Sequence, residues 1–269
     1  MKLTVKTAAV LLCLCAGYAG AKGAGYASYY TEDYLAFKKK IIAEFRRTAP
    51  GRFGEFVKRG RAEKGINQKV IALTFDACGG NDGYNKPLIE YLRAEKIPAT
   101  LFVTDLWIDR HKEIFAELAK DPLFEIENHG LLHRLCSTEG RMMYGVRSTT
   151  GLGGVVDEME LGARKIEELT GRRPVFFRSA TAYTDDLSRK VAARLGMEVV
   201  SYDILSGDAQ RAPAKKISRN ILAGARHGAV VILHFNHPEW PELDALKLAV
   251  PELRKRGFNF ARLDAFTVK

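Results

Sequence analysis

Phe124-Glu-Ile-Glu-Asn-His-Gly-Leu-Leu-His133 joins an apolar strand, Phe124 to Asn128, directly to two imidazoles four positions apart. Such a pair can close on one divalent cation, on a helical turn or on a tight loop. The H-x-x-x-H spacing alone is common on surfaces and in cores. Its weight here comes from the rest of the chain, where other apolar runs also end on polar residues. The C-terminal ends of parallel strands are where a (β/α) barrel gathers its chemistry.

From Lys69 onward strands and helices alternate. Buried-strand patterns fall at Val70–Phe75, Ala99–Val103, Phe124–Glu127, Val175–Phe177, Glu198–Tyr202, Ala229–Leu233 and Asn259–Leu263. Amphipathic stretches separate them. Leu88, Ile89 and Leu92 follow Pro87, and Ile114, Phe115 and Leu118 precede Asp121-Pro122. Val155, Met159, Ile166 and Leu169 end at Gly171, and Thr184 is placed to cap a run of Leu187, Val191 and Leu195 that stops at Gly196. This rhythm predicts an α/β fold, a deformed (β/α) barrel of about seven parallel strands. An open doubly wound sheet is the alternative. Gly151-Leu-Gly-Gly154 follows no strand and is not read as a phosphate loop.

Upstream, Thr31 is placed to cap a helix with Glu32 and Asp33 in its first turn, followed by Tyr34, Phe37, Ile41 and Phe45 at helical spacing. Residues 1–21 have the form of a secretory signal: Lys2 and Lys6, a short apolar run from Ala8 to Ala16, and Ala19-Gly-Ala21 at the cleavage point. An uncleaved N-terminal anchor is the alternative, and no other stretch is apolar enough to insert stably in a membrane. The predicted organisation is a signal over 1–21, a mainly helical extension over 22–66 and a barrel over 67–269, exported to the periplasm or secreted.

The net charge of +10 suits attraction to anionic envelope polymers. The cations are dispersed and form no nucleic-acid recognition motif, so nucleic acid is not expected as a partner. Once the signal is removed, Cys78 and Cys136 remain. A disulfide between them and two free thiols stand as alternatives.

Asp76 ends the first barrel strand, His129 and His133 follow the third, Arg178 follows Phe177, Asp208 follows Ser206-Gly207, and His234 ends Val230–Leu233. A metal, a carboxylate base and a separate imidazole acid form a hydrolytic set. Thr74-Phe-Asp76, Glu127-Asn-His129-x-x-x-His133, Phe177-Arg178, Ser206-Gly-Asp208 and Leu233-His234 resemble, in order, the motifs of NodB-type polysaccharide deacetylases, carbohydrate esterase family four. The resemblance implies removal of N-acetyl, sometimes O-acetyl, groups from an acetylated polysaccharide such as peptidoglycan or exopolysaccharide. It also implies a divalent metal, zinc first, with cobalt or nickel as substitutes. By the same resemblance His129 and His133 hold the metal, Asp76 is the base, Arg178 orients Asp76, and His234 is the acid, charged by Asp208.

The motifs also depart from the family. A second aspartate, the third metal ligand, is usual where this chain has Ala77. Asp82, Cys78 or water are the open replacements. The prolines expected after Arg178 are missing, and Ala209 stands where a tryptophan is expected. A catalytically weakened glycan-binding or scaffolding barrel is the alternative to an enzyme, and a metal-dependent amidase acting on a non-sugar acylamide is a third reading.

Overall fold

The computed structural model describes residues 26–55, 60–62, 69–79 and 81–268. The predicted signal, residues 1–21, lies outside the described residues. Helix α1 (Glu32–Phe45) leads into strands β1 (Phe53–Glu55) and β2 (Gly60–Ala62), then β3 (Lys69–Ala77), α2 (Lys86–Ala94) and β4 (Ala99–Val103). Helices α3 (Asp105–Arg110) and α4 (Lys112–Lys120), strand β5 (Phe124–Asn128), helix α5 (Gly151–Thr170) and strand β6 (Phe176–Phe177) come next. The chain continues through β7 (Tyr183–Asp185), α6 (Asp186–Arg194), β8 (Glu198–Val199) and β9 (Ile204–Leu205). It finishes with α7 (Ala214–Gly224), β10 (Ala229–His234), α8 (Glu242–Lys255), β11 (Phe258–Phe260) and β12 (Phe266–Val268).

The main sheet is parallel and runs β8-β6-β5-β4-β3-β10-β9, with β11 paired to the first residues of β3. The sheet curls into a barrel in which, among the described residues, β8 and β9 do not pair. All seven expected strand segments contribute to it, so the deformed (β/α) barrel is the architecture found. Strand β9 is an addition: two residues of a polar loop supply it, too short for a periodic signal. Two small antiparallel pairs, β1 with β7 and β2 with β12, are further additions.

Period-two alternation sorts the barrel strands into two layers. Ile71, Leu73, Phe75, Leu101, Ile126, Val231 and Leu233 pack outward against α2, α4, α7 and α8 in the large core cluster. Val70, Ala72, Phe102, Phe176, Val200 and Val230 form a separate inner cluster. Every residue of β3 after Lys69 is buried, as a central parallel strand covered on both faces must be. The inner register delivers Asp76, Arg178 and His234 to the strand ends.

Local signals act largely as expected. Thr31 accepts a hydrogen bond from Tyr34 N–H and caps α1. Helix α1 is tied to α5 by Tyr34 Oη and Lys38 Nζ, which donate to Asp157 at 2.5 and 2.6 Å. Two expectations are corrected. Asp185, not Thr184, caps α6: it directly precedes the first helical residue, Asp186, and its Oδ1 accepts from Ser188 N–H at 2.7 Å. Leu169 is 53% exposed, since the last turn of α5 runs past the core.

The sharp turn after β5 requires glycine. Gly130 has φ +101°, and a Cβ there would lie 2.3 Å from Glu158 Oε1. Gly130→Ala is therefore expected to cost about 3 kcal/mol, through backbone strain and displacement of a buried carboxylate. A urea-denaturation midpoint that does not move would rule this out.

Candidate active site

Asp76 and Arg178 form the floor of the site. Arg178 is fully buried and donates from Nη1 to Asp76 Oδ1 at 2.7 Å. Its Nε and Nη2 donate to the carbonyls of Val200 and Ser201, and its guanidinium lies over the Phe102 ring, 4.2 Å from the centroid. These carbonyls lie just beyond β8, so one side chain from the end of β6 links β3 to the segment after β8. Burial alone would raise the Asp76 pKa, but the Arg178 guanidinium, with His129 and His234 nearby, outweighs it and lowers the value. Asp76 is an ionised carboxylate whose Oδ2 stands 3.7 Å from His129 Nε2.

The two histidines after β5 converge. Their rings meet edge to face with centroids 4.9 Å apart. His129 Nδ1 lies 2.7 Å from the Arg178 carbonyl oxygen. A carbonyl only accepts, so the ring proton sits on Nδ1 and the Nε2 lone pair faces the site. Burial lowers the pKa of His129 and takes that of His133 down to about 3, leaving both neutral as metal ligation requires. His133 reaches its place with φ +53°, an uncommon conformation held by its neighbours. Glu158 of α5 supplies that hold by accepting from Leu132 N–H and Arg134 N–H on either side. Glu158 has no motif behind it; its only sequence signal is a charge on the apolar face between Val155 and Gly162.

Three donors, Cys78 Sγ and one nitrogen each of His129 and His133, lie within 4.8 Å of one another. This donor set fits a divalent metal such as zinc: two neutral imidazoles and one sulfur. Asp82 does not join it. Its Oδ2 accepts from Gly79 N–H at 2.6 Å and Asn236 Nδ2 at 2.7 Å, which folds the carboxylate back on its own loop. No disulfide forms between Cys78 and Cys136, and both are free thiols. Cys136 is fully buried against α5 beside Val155 and Met159, while Cys78 lies at the site. Burial pushes the Cys78 thiol up to about 11, against the pull of His234.

Opposite stands His234. Its Nδ1 lies 3.1 Å from Asp208 Oδ2, and the same oxygen accepts from His234 N–H at 2.7 Å. Asp208 Oδ1 accepts from Ser206 Oγ and Ala209 N–H. Burial opposes a charged His234, yet the Asp208 carboxylate overrides it and raises the pKa well above the ordinary value. The arrangement can keep a proton on an imidazole next to a carboxylate that lacks one. Asp203, at the same sheet edge, is a structural acceptor for Val230 N–H and Arg226.

Glu242 was not expected here. It is fully buried, neither carboxyl oxygen has a side-chain partner among the described residues, and burial, then the charge of Asp208, raises its pKa to about 8. The folded chain thus keeps a proton that the unfolded chain releases near the ordinary value of 4.5. The stability this neutral group confers is lost as pH rises between those values. Glu242→Gln should gain on the order of 2–4 kcal/mol over the wild type at about pH 9 and nothing at about pH 4. Denaturant titrations at both pH values check it, and equal gains at both would refute it.

Comparison with known proteins places this geometry. The family model described as polysaccharide deacetylase matches residues 63–200. The peptidoglycan-N-acetylmuramic acid deacetylase PdaA of Bacillus subtilis (strain 168) is 23% identical over 201 residues, spanning 73% of this chain and 71% of the relative. A chitooligosaccharide deacetylase of Bradyrhizobium is 25% identical over 206 residues, spanning 71% of this chain and 87% of the relative. Among solved structures, a mutant of a CE4 family pseudoenzyme from Bacillus anthracis, one with restored enzymatic activity, has a TM-score of 0.63 at 22% identity. That likeness covers 77% of this chain and 69% of the neighbour. The peptidoglycan deacetylase PdaC from Bacillus subtilis has a TM-score of 0.59 at 23% identity, over 74% and 89% of the two chains. With a family model over half its length and the barrel to match, this chain belongs to the polysaccharide deacetylase family of NodB-type, carbohydrate esterase family four hydrolases.

Proposed function

We propose that this protein hydrolyses the N-acetyl groups, and by the same chemistry O-acetyl groups, of an envelope or extracellular polysaccharide. The observation that carries the reading is the geometry around the His129–His133 pair: Asp76 is paired with Arg178 at 2.7 Å, which favours its ionised form, and His234 with Asp208 at 3.1 Å, which favours its protonated form. Two titratable groups driven in opposite directions supply a base and an acid at one pH. A glycan-binding module needs neither.

In this mechanism Asp76, oriented by Arg178, takes the proton of the attacking water as its oxygen bonds to the acetyl carbon. His234 gives its proton to the departing sugar nitrogen as the carbon–nitrogen bond breaks. The products are acetate and a free amino sugar. Asp208 holds the His234 ring and favours its charged form. His129 and His133 would hold the divalent cation, which when bound polarises the acetyl carbonyl and acidifies water. We assign this chemistry to the unit 67–269, with 22–66 as a helical extension that β1 anchors through its pairing with β7. The signal-like N-terminus and relatives named for peptidoglycan support an exported location. No helix among the described residues is long and apolar enough to cross a membrane.

Ala77 and the pseudoenzyme neighbour favour a second reading, a glycan-binding barrel without turnover. The deciding test is acetate release from a panel of N-acetylated glycans, peptidoglycan included, after chelation and resupply of zinc, cobalt or nickel. Metal-restored release supports the enzyme. Silence across the panel with no tightly held metal leaves the binding barrel.

A further inference from the structure

We infer that Cys78, as a thiolate, is the third protein ligand of the cation, in place of the carboxylate missing at Ala77. The inference rests on the metal-dependent deacetylase reading and concerns how this chain completes that site.

The strand register makes the first argument. Ala77 is fully buried in the outer layer, in the cluster that contains Phe75 and Leu233. Cys78 follows at the next position of the inner parity shared by Thr74 and Asp76. The path of the loop is fixed there. Cys78 O accepts from Thr104 Oγ1 at 2.5 Å, and Thr104 N–H donates to Ala77 O at 3.2 Å. The sulfur therefore lies beside the histidines because the barrel strands are paired, and no rearrangement is needed to bring it there.

The spacing makes the second argument. A tetrahedral zinc with bonds of about 2.3 Å to sulfur and about 2.0 Å to nitrogen keeps those two donors about 3.5 Å apart. Cys78 Sγ lies 3.7 Å from His129 Nε2. That nitrogen is the one whose lone pair is free, since Nδ1 is committed to the Arg178 carbonyl. The competing carboxylate, Asp82, is held by Gly79 and Asn236. Charge is conserved as well: a thiolate carries the single negative charge of the aspartate that the family uses. A soft sulfur donor in turn selects zinc or cobalt against magnesium and calcium.

The test uses the full chain and cobalt(II) alone as probe. The wild type should bind one cobalt per chain and show the near-ultraviolet charge-transfer band of a thiolate-bound ion. Cobalt loading should also slow alkylation of Cys78 by iodoacetamide. Cys78→Ser should lose the band and bind cobalt about a hundredfold more weakly, while Cys136→Ser, changed in the core away from the site, should keep the band. Cobalt bound by the wild type with no charge-transfer band would overturn thiolate ligation and leave the metallo-deacetylase reading standing. No cobalt bound at saturating concentration would overturn both. An acetyl group trapped on Cys78 in chelated protein would also overturn it, by making the thiol a nucleophile. The wild-type band decides the matter even where the Cys78→Ser chain fails to fold.

Discussion

Asp76→Asn is expected to lower kcat for acetate release by roughly 10³–10⁴-fold with metal content unchanged. The amide keeps the shape of the carboxylate and can still accept the Arg178 Nη1–H bond, which is 2.7 Å long in the wild type. What it loses is basicity. Asp76 Oδ2 stands 3.7 Å from His129 Nε2, beyond hydrogen-bond distance, so the histidine pair does not depend on it. The substitution also leaves Arg178 buried without a counter-charge, and circular dichroism must show that the variant is folded before the kinetics are read. Rates from single-turnover acetate release, with metal measured on the same sample, check the prediction. A variant that retains a tenth of wild-type turnover would remove Asp76 from the role of base. Unchanged glycan binding with lost turnover separates the enzyme from a binding barrel.

Arg178→Met is expected to destabilise the chain by about 3–5 kcal/mol as well as to silence it. The wild-type guanidinium satisfies Asp76 and two carbonyls in a fully buried position, and it lies over the Phe102 ring. Methionine fills the volume and leaves an ionised carboxylate and two carbonyls without donors. Removing one member of a buried pair costs far more than the pair itself contributes. The double variant Asp76→Asn with Arg178→Met should therefore be less destabilised than the sum of the two single changes, by about 1–3 kcal/mol. Urea denaturation of the four chains measures the coupling. Strict additivity would mean that Asp76 and Arg178 do not act as one buried unit. Lysine is no substitute at 178, since one ammonium cannot reach three acceptors that a planar fork spans.

The barrel was legible because parallel strands buried on both faces read as apolar runs, and seven such runs separated by helical periods leave few alternatives. Asp76, His129, His133, Arg178 and His234 stand out in the sequence because each lies at or just after the end of an apolar run, whereas Asp208, beyond the two-residue β9, carries only the Ser206-Gly-Asp208 motif. Strand β9 was not legible: Ile204 and Leu205 are two residues in a loop, and only their partners in β10 define them. The cap of α6 is ambiguous in the sequence because Thr184 and Asp185 are both capping types, and the start of the helix at Asp186 puts Asp185 in that position.

The residues near the metal-ligand pair divide along the same line. By itself, the sequence determined the strand order of chemistry-bearing residues, the absence of a carboxylate at Ala77, and the short set of groups that could replace it. Only the tertiary structure decided where the side chains among them stand. Asn236, 154 residues from Asp82 in the chain, draws that carboxylate away, and Thr104 on the neighbouring strand's exit holds Cys78 in place. Tertiary structure likewise separated the two cysteines and buried Glu158 and Glu242, which no local pattern marks as functional. Periodicity reports which face a residue occupies, a property of its own few neighbours. Reach, partner and protonation depend on groups that are distant in sequence and adjacent only after folding.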